Sequence, residues 1–196
     1  MQILTDSYKA SNNLHHAYII EGIGEHIHPH LCDFCEKELN ISTKGNADFL
    51  YEERDTFSIK DARKLRELQL NKTIEKDGRK IFIISFNFIS RGAQNALLKV
   101  LEEPTEGTHV FIVTPASYIF LPTVLSRVTV ITSKQTGIEN TVNTFAQEFL
   151  AASEAERLKK VTKLVKDIKD EKASKSNAIQ LVRSLEQMIH QETQTS

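Results

Sequence analysis

The sequence has little cysteine and no excess of either charge, and both shortages exclude whole classes of protein. Two cysteines, Cys32 and Cys35, lie three apart among 196 residues, too few and too close for a secreted disulfide scaffold. Against 25 Lys and Arg stand 26 Asp and Glu, a net charge of -1, so no global basic field draws the chain onto nucleic acid. Any nucleic-acid role therefore rests on a local patch or on partners. No apolar run reaches membrane-spanning length, and the N-terminal MQILTDSYKASNN lacks the apolar centre of a secretory signal. The expectation is a soluble, cytoplasmic protein with no membrane role. There is no internal repeat, and no low-complexity block beyond the polar tail QETQTS. What remains is ordinary for a globular fold: 40% hydrophobic and 26% charged residues, in a length suited to one α/β core and a small appendage.

Short apolar runs alternate with longer helical patterns. His16 to Ile20, the weaker Asp48 to Tyr51, Lys80 to Ile84, His109 to Val113 and Val128 to Ile131 read as five strands. Asp77-Gly78 is a turn signal before the third. Between the strands lie a helix from His30 to Leu39 and one opening at Ser58 with a capping-box partner at Asp61. A third follows a candidate cap at Ser90. In that helix Ala93, Ala96, Leu97, Val100 and Leu101 form a core-facing stripe, and Pro104 and Gly107 close it. Such alternation predicts right-handed crossovers and a five-stranded parallel sheet covered by helices on both faces. From Asn140 onward there is no Gly, Pro or strand signal. Phe145, Phe149 and Leu150 suggest one helix, Leu158 to Ile168 a second and Ile179 to Ile189 a third, with a turn over Asp170 to Asn177. The predicted organisation is an α/β domain over 1–135 and a helical segment over 136–196.

The run Asn95-Ala96-Leu97-Leu98-Lys99-Val100-Leu101-Glu102-Glu103-Pro104 is followed, after the next strand, by Leu121-Pro122-Thr123-Val124-Leu125-Ser126-Arg127. Together these closely resemble the bacterial DNA polymerase III clamp-loader subunits of the gamma/tau and delta-prime type, in the AAA+ superfamily. The His16-Ala17-Tyr18 strand start and the helix opening at Ser58 match as well, so the resemblance covers roughly residues 10–135. It implies an AAA+-like, P-loop-type α/β domain followed by a short helical region, a reduced counterpart of the family's lid and collar. About sixty residues follow Arg127, too few for both of those regions. The resemblance also implies that Arg127, with Ser126, acts as an arginine finger reaching ATP on a neighbouring subunit, and Val128 stands where the family has cysteine. Asn95, Lys99, Glu102 and Glu103 would face partner subunits; by periodicity alone they are a solvated helix face, with Lys99 and Glu103 favourably spaced.

Against that family pattern, the residues that would handle ATP are missing. A phosphate loop needs glycines that let backbone N–H groups wrap the phosphates, a Lys for their charge and a hydroxyl for magnesium. Here Glu21-Gly22-Ile23-Gly24-Glu25-His26-Ile27-His28-Pro29 places His28 at the Lys position and Pro29 at the hydroxyl. No Lys or Arg lies between Lys9 and Lys37, and Glu21 and Glu25 would repel a triphosphate. The loop of Gly22, Gly24 and His28 is thus degenerate. The acidic pair expected after the third strand is replaced by Ile84 and Ser85, and Thr114, at the family's phosphate-sensing position, reads as a strand-end cap.

His26, His28, His30, Cys32 and Cys35 fall within ten residues, a density that suits zinc if the histidines alternate along an extended segment. The family's four-cysteine zinc insertion is absent, and the two cysteines read as small core residues. Lysines from Lys159 to Lys175 are interrupted by acids and read as a solvated helix face. The expectation is a delta-prime-like subunit that binds no nucleotide or metal of its own, is not an ATPase and serves DNA replication. Its partners would be gamma/tau and delta, and through them the sliding clamp and primer–template DNA. The alternatives are a weak ATP-binding ATPase with an unorthodox loop, or a metal-binding regulatory module over residues 26–35.

Overall fold

Apolar, β-branched strands form the centre of the α/β unit because a parallel sheet buries both of its faces. In a computed structural model, the structure describes residues 2–71, 73, 78–132, 146–170, 178, 181–182 and 184–185. The chain divides into two compact units, Met1–Thr136 and Gly137–Ser196.

The first unit opens with helix α1 (Gln2–Ser11), then β1 (Ala17–Glu21), α2 (Gly24–Lys37), β2 (Phe49–Phe57) and α3 (Ile59–Leu70). β3 (Lys80–Ile89), α4 (Arg91–Glu102), β4 (Thr108–Thr114), a 3-10 turn (Ser117–Ile119), α5 (Pro122–Leu125) and β5 (Thr129–Ile131) complete it. All strand pairings are parallel, in the order β2-β3-β4-β1-β5. This is the α/β architecture the alternation predicts.

Residues of alternate parity serve opposite faces of the sheet. Ala17, Ile19, Phe82, Ile84, Phe86, Val110 and Ile112 pack with Ala62 and Leu65 of α3 and with Ala93, Leu97, Val100 and Leu101 of α4. Tyr18 and Phe111, of the other parity, stack on adjacent strands with ring centroids 5.2 Å apart. α2 supplies Ile27, Leu31, Phe34 and Cys35 as its buried stripe. The Tyr8 ring of α1 meets Phe34 edge-on at 5.9 Å.

The Ser58 cap forms as expected: Asp61 N–H donates to Ser58 Oγ, and the Asp61 carboxylate accepts from Ser58 N–H at 2.9 Å. Ser90 Oγ likewise accepts from Ala93 N–H at 3.1 Å. Gly107 sits at φ +73 in the tight turn into β4, and a Cβ there would come within 2.9 Å of the Gly78 carbonyl.

Three elements depart from expectation. α2 begins at Gly24, not His30, and carries Pro29 in its interior. Pro29 removes one amide donor, but the buried stripe holds the helix through that loss. β2 runs on through Glu52-Glu53-Arg54-Asp55-Thr56 as a charged edge strand, and β3 extends to Ile89, so Ile84 and Ser85 lie inside it. The turn residue Asp77, the expected helix residues Phe145, Ile179 and Ile189, and the expected turn over 171–177 fall outside the described residues.

In the second unit a helical stretch over 146–151 precedes α6 (Glu154–Lys169). Ser153 N–H and Oγ both donate to the Glu156 carboxylate, at 2.9 and 2.8 Å. Lys160 pairs with Glu148 at 3.0 Å, while Lys163, Lys166 and Lys169 are exposed. Among the described residues no helix is long and apolar enough to cross a membrane.

Candidate functional site

Ligands of parallel α/β sheets bind beyond the carboxyl ends of the strands, so the turn after β1 is the first place to test. There the chain passes from Glu21 to Gly24 through Gly22-Ile23 alone, and α2 starts at once. Two linking residues cannot wrap a triphosphate with backbone amides. Gly22 N–H is already committed to the Thr114 carbonyl at 2.9 Å. A Cβ at residue 24 would fall 2.1 Å from Ser85 Oγ and 3.3 Å from a Glu53 carboxylate oxygen. The space before α2 is therefore lined by protein atoms, one of them a carboxylate. Residues present do not fit a magnesium–nucleotide.

Two polar contacts tie this end of the sheet together, and one hydroxyl there has no partner. Glu21 accepts from Ser117 N–H at 2.8 Å and from its hydroxyl at 2.6 Å, pinning β1 to the turn after β4. Asn87, buried near the end of β3, donates to Asp55 at 3.0 Å. Thr114 is fully buried, and its hydroxyl has no hydrogen-bond partner. It caps nothing, contrary to the strand-end reading, because its side chain is sealed in the sheet.

His28 stands where a phosphate lysine would, but its ring stacks on Tyr51 of β2 at 3.7 Å between centroids. Burial holds its pKa down, with Glu53 pulling the other way. Tyr51 in turn donates to Glu53 at 2.7 Å, and burial with that bond keeps the phenol protonated. His28 Nε2 and Cys32 Sγ lie 3.2 Å apart, one helical turn from each other.

The other metal candidates disperse. The segment is helical, not extended, so alternate residues turn away from one another. His26 and His30 are exposed, and Cys35 is buried on the core side of α2. Burial, then Cys32 and Glu36, push the Cys35 thiol up to about 12. Among the described residues no group of three His, Cys, Asp or Glu converges as metal ligands.

The second half of the site is built on α4. Asn95, Lys99, Glu102 and Glu103 are all exposed. α4 ends at Glu102, with Glu103 as its cap at φ -122 and ψ 61. Glu102 instead pairs with Arg127, Oε1 to Nη2 at 2.8 Å. Arg127 Nη1 also donates to the Thr123 carbonyl at 2.7 Å and to Ser126 Oγ at 3.1 Å. Ser126 Oγ donates to the same Thr123 carbonyl at 3.0 Å.

What holds this corner in place is Gln94, which sequence reasoning missed. Only 2% exposed, it donates to the Ile119 carbonyl at 2.9 Å and accepts from Leu121 N–H at 2.6 Å. Its amide thus fixes the strand of chain that leads into Leu121-Pro122 and on to Arg127. The signal was available: a polar residue three before Leu97 and seven before Leu101, on the buried stripe.

The profile of the family described as DNA polymerase III, delta subunit, matches residues 23–137. No curated protein matches the chain. Among solved structures, a DNA polymerase III gamma-subunit-related protein from Thermotoga maritima is similar, with a TM-score of 0.54 at 21% identity. The match covers 75% of this chain and 49% of that one, so the chain spans about half the length of that relative. At this identity the likeness is one of fold.

Proposed function

This chain belongs to the DNA polymerase III delta-subunit family, and from that premise we propose that it is a non-catalytic, delta-prime-like clamp-loader subunit. It does not bind or hydrolyse ATP itself. In the cytoplasm it assembles with gamma/tau and delta subunits and helps load the sliding clamp at primer–template junctions during DNA replication. The observation that carries the reading is the approach of Gly24 to Ser85, with a Cβ clearance of 2.1 Å, three residues beyond the end of β1. With only two residues linking β1 to α2 and Gly24 packed against Ser85, this turn lacks the open glycine-rich loop that wraps a phosphate, which supports the reading.

A subunit without its own site contributes to hydrolysis by acting on another's. Arg127 suits that role: its guanidinium is permanently charged, forked, and 35% exposed at the end of a firmly held segment. Placed at a neighbour's nucleotide, such a group stabilises the charge that develops in phosphoryl transfer, an effect of roughly 10³ to 10⁵ in the strongest systems. Asn95 and Lys99 lie exposed on the same helix as Glu102 and offer polar contacts to a partner.

The experiment is reconstitution with the organism's own clamp-loader subunits, followed by native mass spectrometry and steady-state ATP hydrolysis. The expected result is a stoichiometric complex whose hydrolysis falls at least tenfold, as an order of magnitude, in R127A with assembly intact. Failure to enter any complex overturns the clamp-loader role. Unchanged hydrolysis in an assembled R127A complex removes the trans-acting arginine.

A further inference from the structure

Arg127 is not a free side chain awaiting a partner. Its Nη2 pairs with Glu102 at 2.8 Å, and its Nη1 is held by the Thr123 carbonyl at 2.7 Å. These contacts seat the guanidinium between the last residue of α4 and the carbonyl end of α5, fixing a side chain that otherwise samples many rotamers. The pair is also open to solvent, with the Arg and Glu side chains 35% and 45% exposed. An incoming anion can reach it. A pair so exposed is worth little, whereas a phosphate offers the same guanidinium a forked, charge-assisted alternative.

We infer that Glu102 is a positioning residue for Arg127 that parks the guanidinium on its own subunit and attenuates its action on a neighbour's phosphate. The inference rests on the proposal that Arg127 acts in trans. The physical reason is charge. With the carboxylate in contact, arginine and glutamate sum to zero, and a phosphate approaching the fork meets a carboxylate of its own sign beside it. The arginine's full charge becomes available only as Glu102 lets go. Glu102 thus keeps Arg127 ordered before assembly and sets how strongly it acts afterwards.

The test is E102Q in the reconstituted complex, since glutamine keeps the size and a hydrogen bond to Nη2 but not the charge. Hydrolysis by the adjoining subunit should rise about fivefold, the upper worth of an exposed ion pair. That gain should shrink in high salt. It should vanish in E102Q/R127A, which should match R127A, and E102D should stay near wild type. A second readout needs no partner: nitrogen-15 relaxation of the Arg127 Nε–H in the isolated chain should report a more mobile side chain in E102Q. Hydrolysis unchanged or slower in E102Q, with R127A still impaired, overturns the role of Glu102 and leaves the trans arginine standing. A gain that persists in the R127A background overturns it too, since Glu102 would then act without Arg127. An R127A complex that hydrolyses normally overturns the trans reading itself.

Discussion

Gly24 and Ser85 approach so closely that a Cβ on residue 24 would lie 2.1 Å from Ser85 Oγ and 2.9 Å from Ser85 Cβ. This contact joins the first turn of α2 to the middle of β3. G24A should destabilise the fold by about 1–3 kcal/mol through overpacking, although alanine is the better helix former. S85G in the same background should restore most of the loss. Denaturant midpoints of the two variants check this; a G24A protein as stable as wild type contradicts it.

Gln94 makes both of its amide bonds to the chain around Ile119 and Leu121. Q94L would leave a carbonyl and an amide unpaired, at roughly 2–4 kcal/mol for the two. Q94E keeps the acceptor for Leu121 N–H but sets a buried, charged carboxylate oxygen against the Ile119 carbonyl, so it should be at least as destabilised as Q94L. Urea unfolding followed by circular dichroism measures the order.

Cys35 is fully buried with its thiol pushed up to about 12, and Cys32, half-buried beside His28, is also raised by burial. A thiol reagent should modify Cys32 slowly on the native protein and Cys35 only on unfolding. Mass spectrometry of time points gives the order. The proposed metal-free role predicts that the thermal midpoint does not move in a strong chelator; stoichiometric zinc and a large drop would contradict that.

His16, His28 and His109 are each held below the ordinary histidine value of 6.5, chiefly by burial. The folded chain therefore binds fewer protons than the unfolded chain at mildly acid pH. Their contribution to stability is complete above 6.5 and is lost as pH falls through the lowered folded values. Thermal midpoints should decline between pH 7 and about pH 5. H109N, whose amide can replace the Nδ1 contact with the His15 carbonyl, should flatten that decline.

The parts of the fold legible in the sequence were those where one physical signal dominates. β3 announces itself as a run of apolar, β-branched residues, and α4 as a stripe of period 3.6 behind a serine cap. The far half of β2 was not legible because this edge strand carries charge on both faces, Glu53 and Asp55 exposed and Glu52 and Arg54 half-buried and paired, which erases the alternation. Pro29 concealed the start of α2, since the packing of Ile27 and Leu31 outweighs one lost amide bond. In the site, Glu102 and Arg127 were each visible within a motif. Their contact was not, because all of β4 lies between them in sequence and it is the topology that brings the end of α4 beside α5, rather than spacing.

A non-catalytic role in the clamp loader requires that this chain hold no nucleotide of its own. Calorimetric titration of the purified protein with ATP and magnesium tests that most directly. The closed turn at Gly22-Ile23, with Gly24 against Ser85 and Glu53 beside it, predicts no saturable heat at micromolar protein. A stoichiometric, micromolar Kd that disappears in H28A would show a working phosphate loop and contradict it.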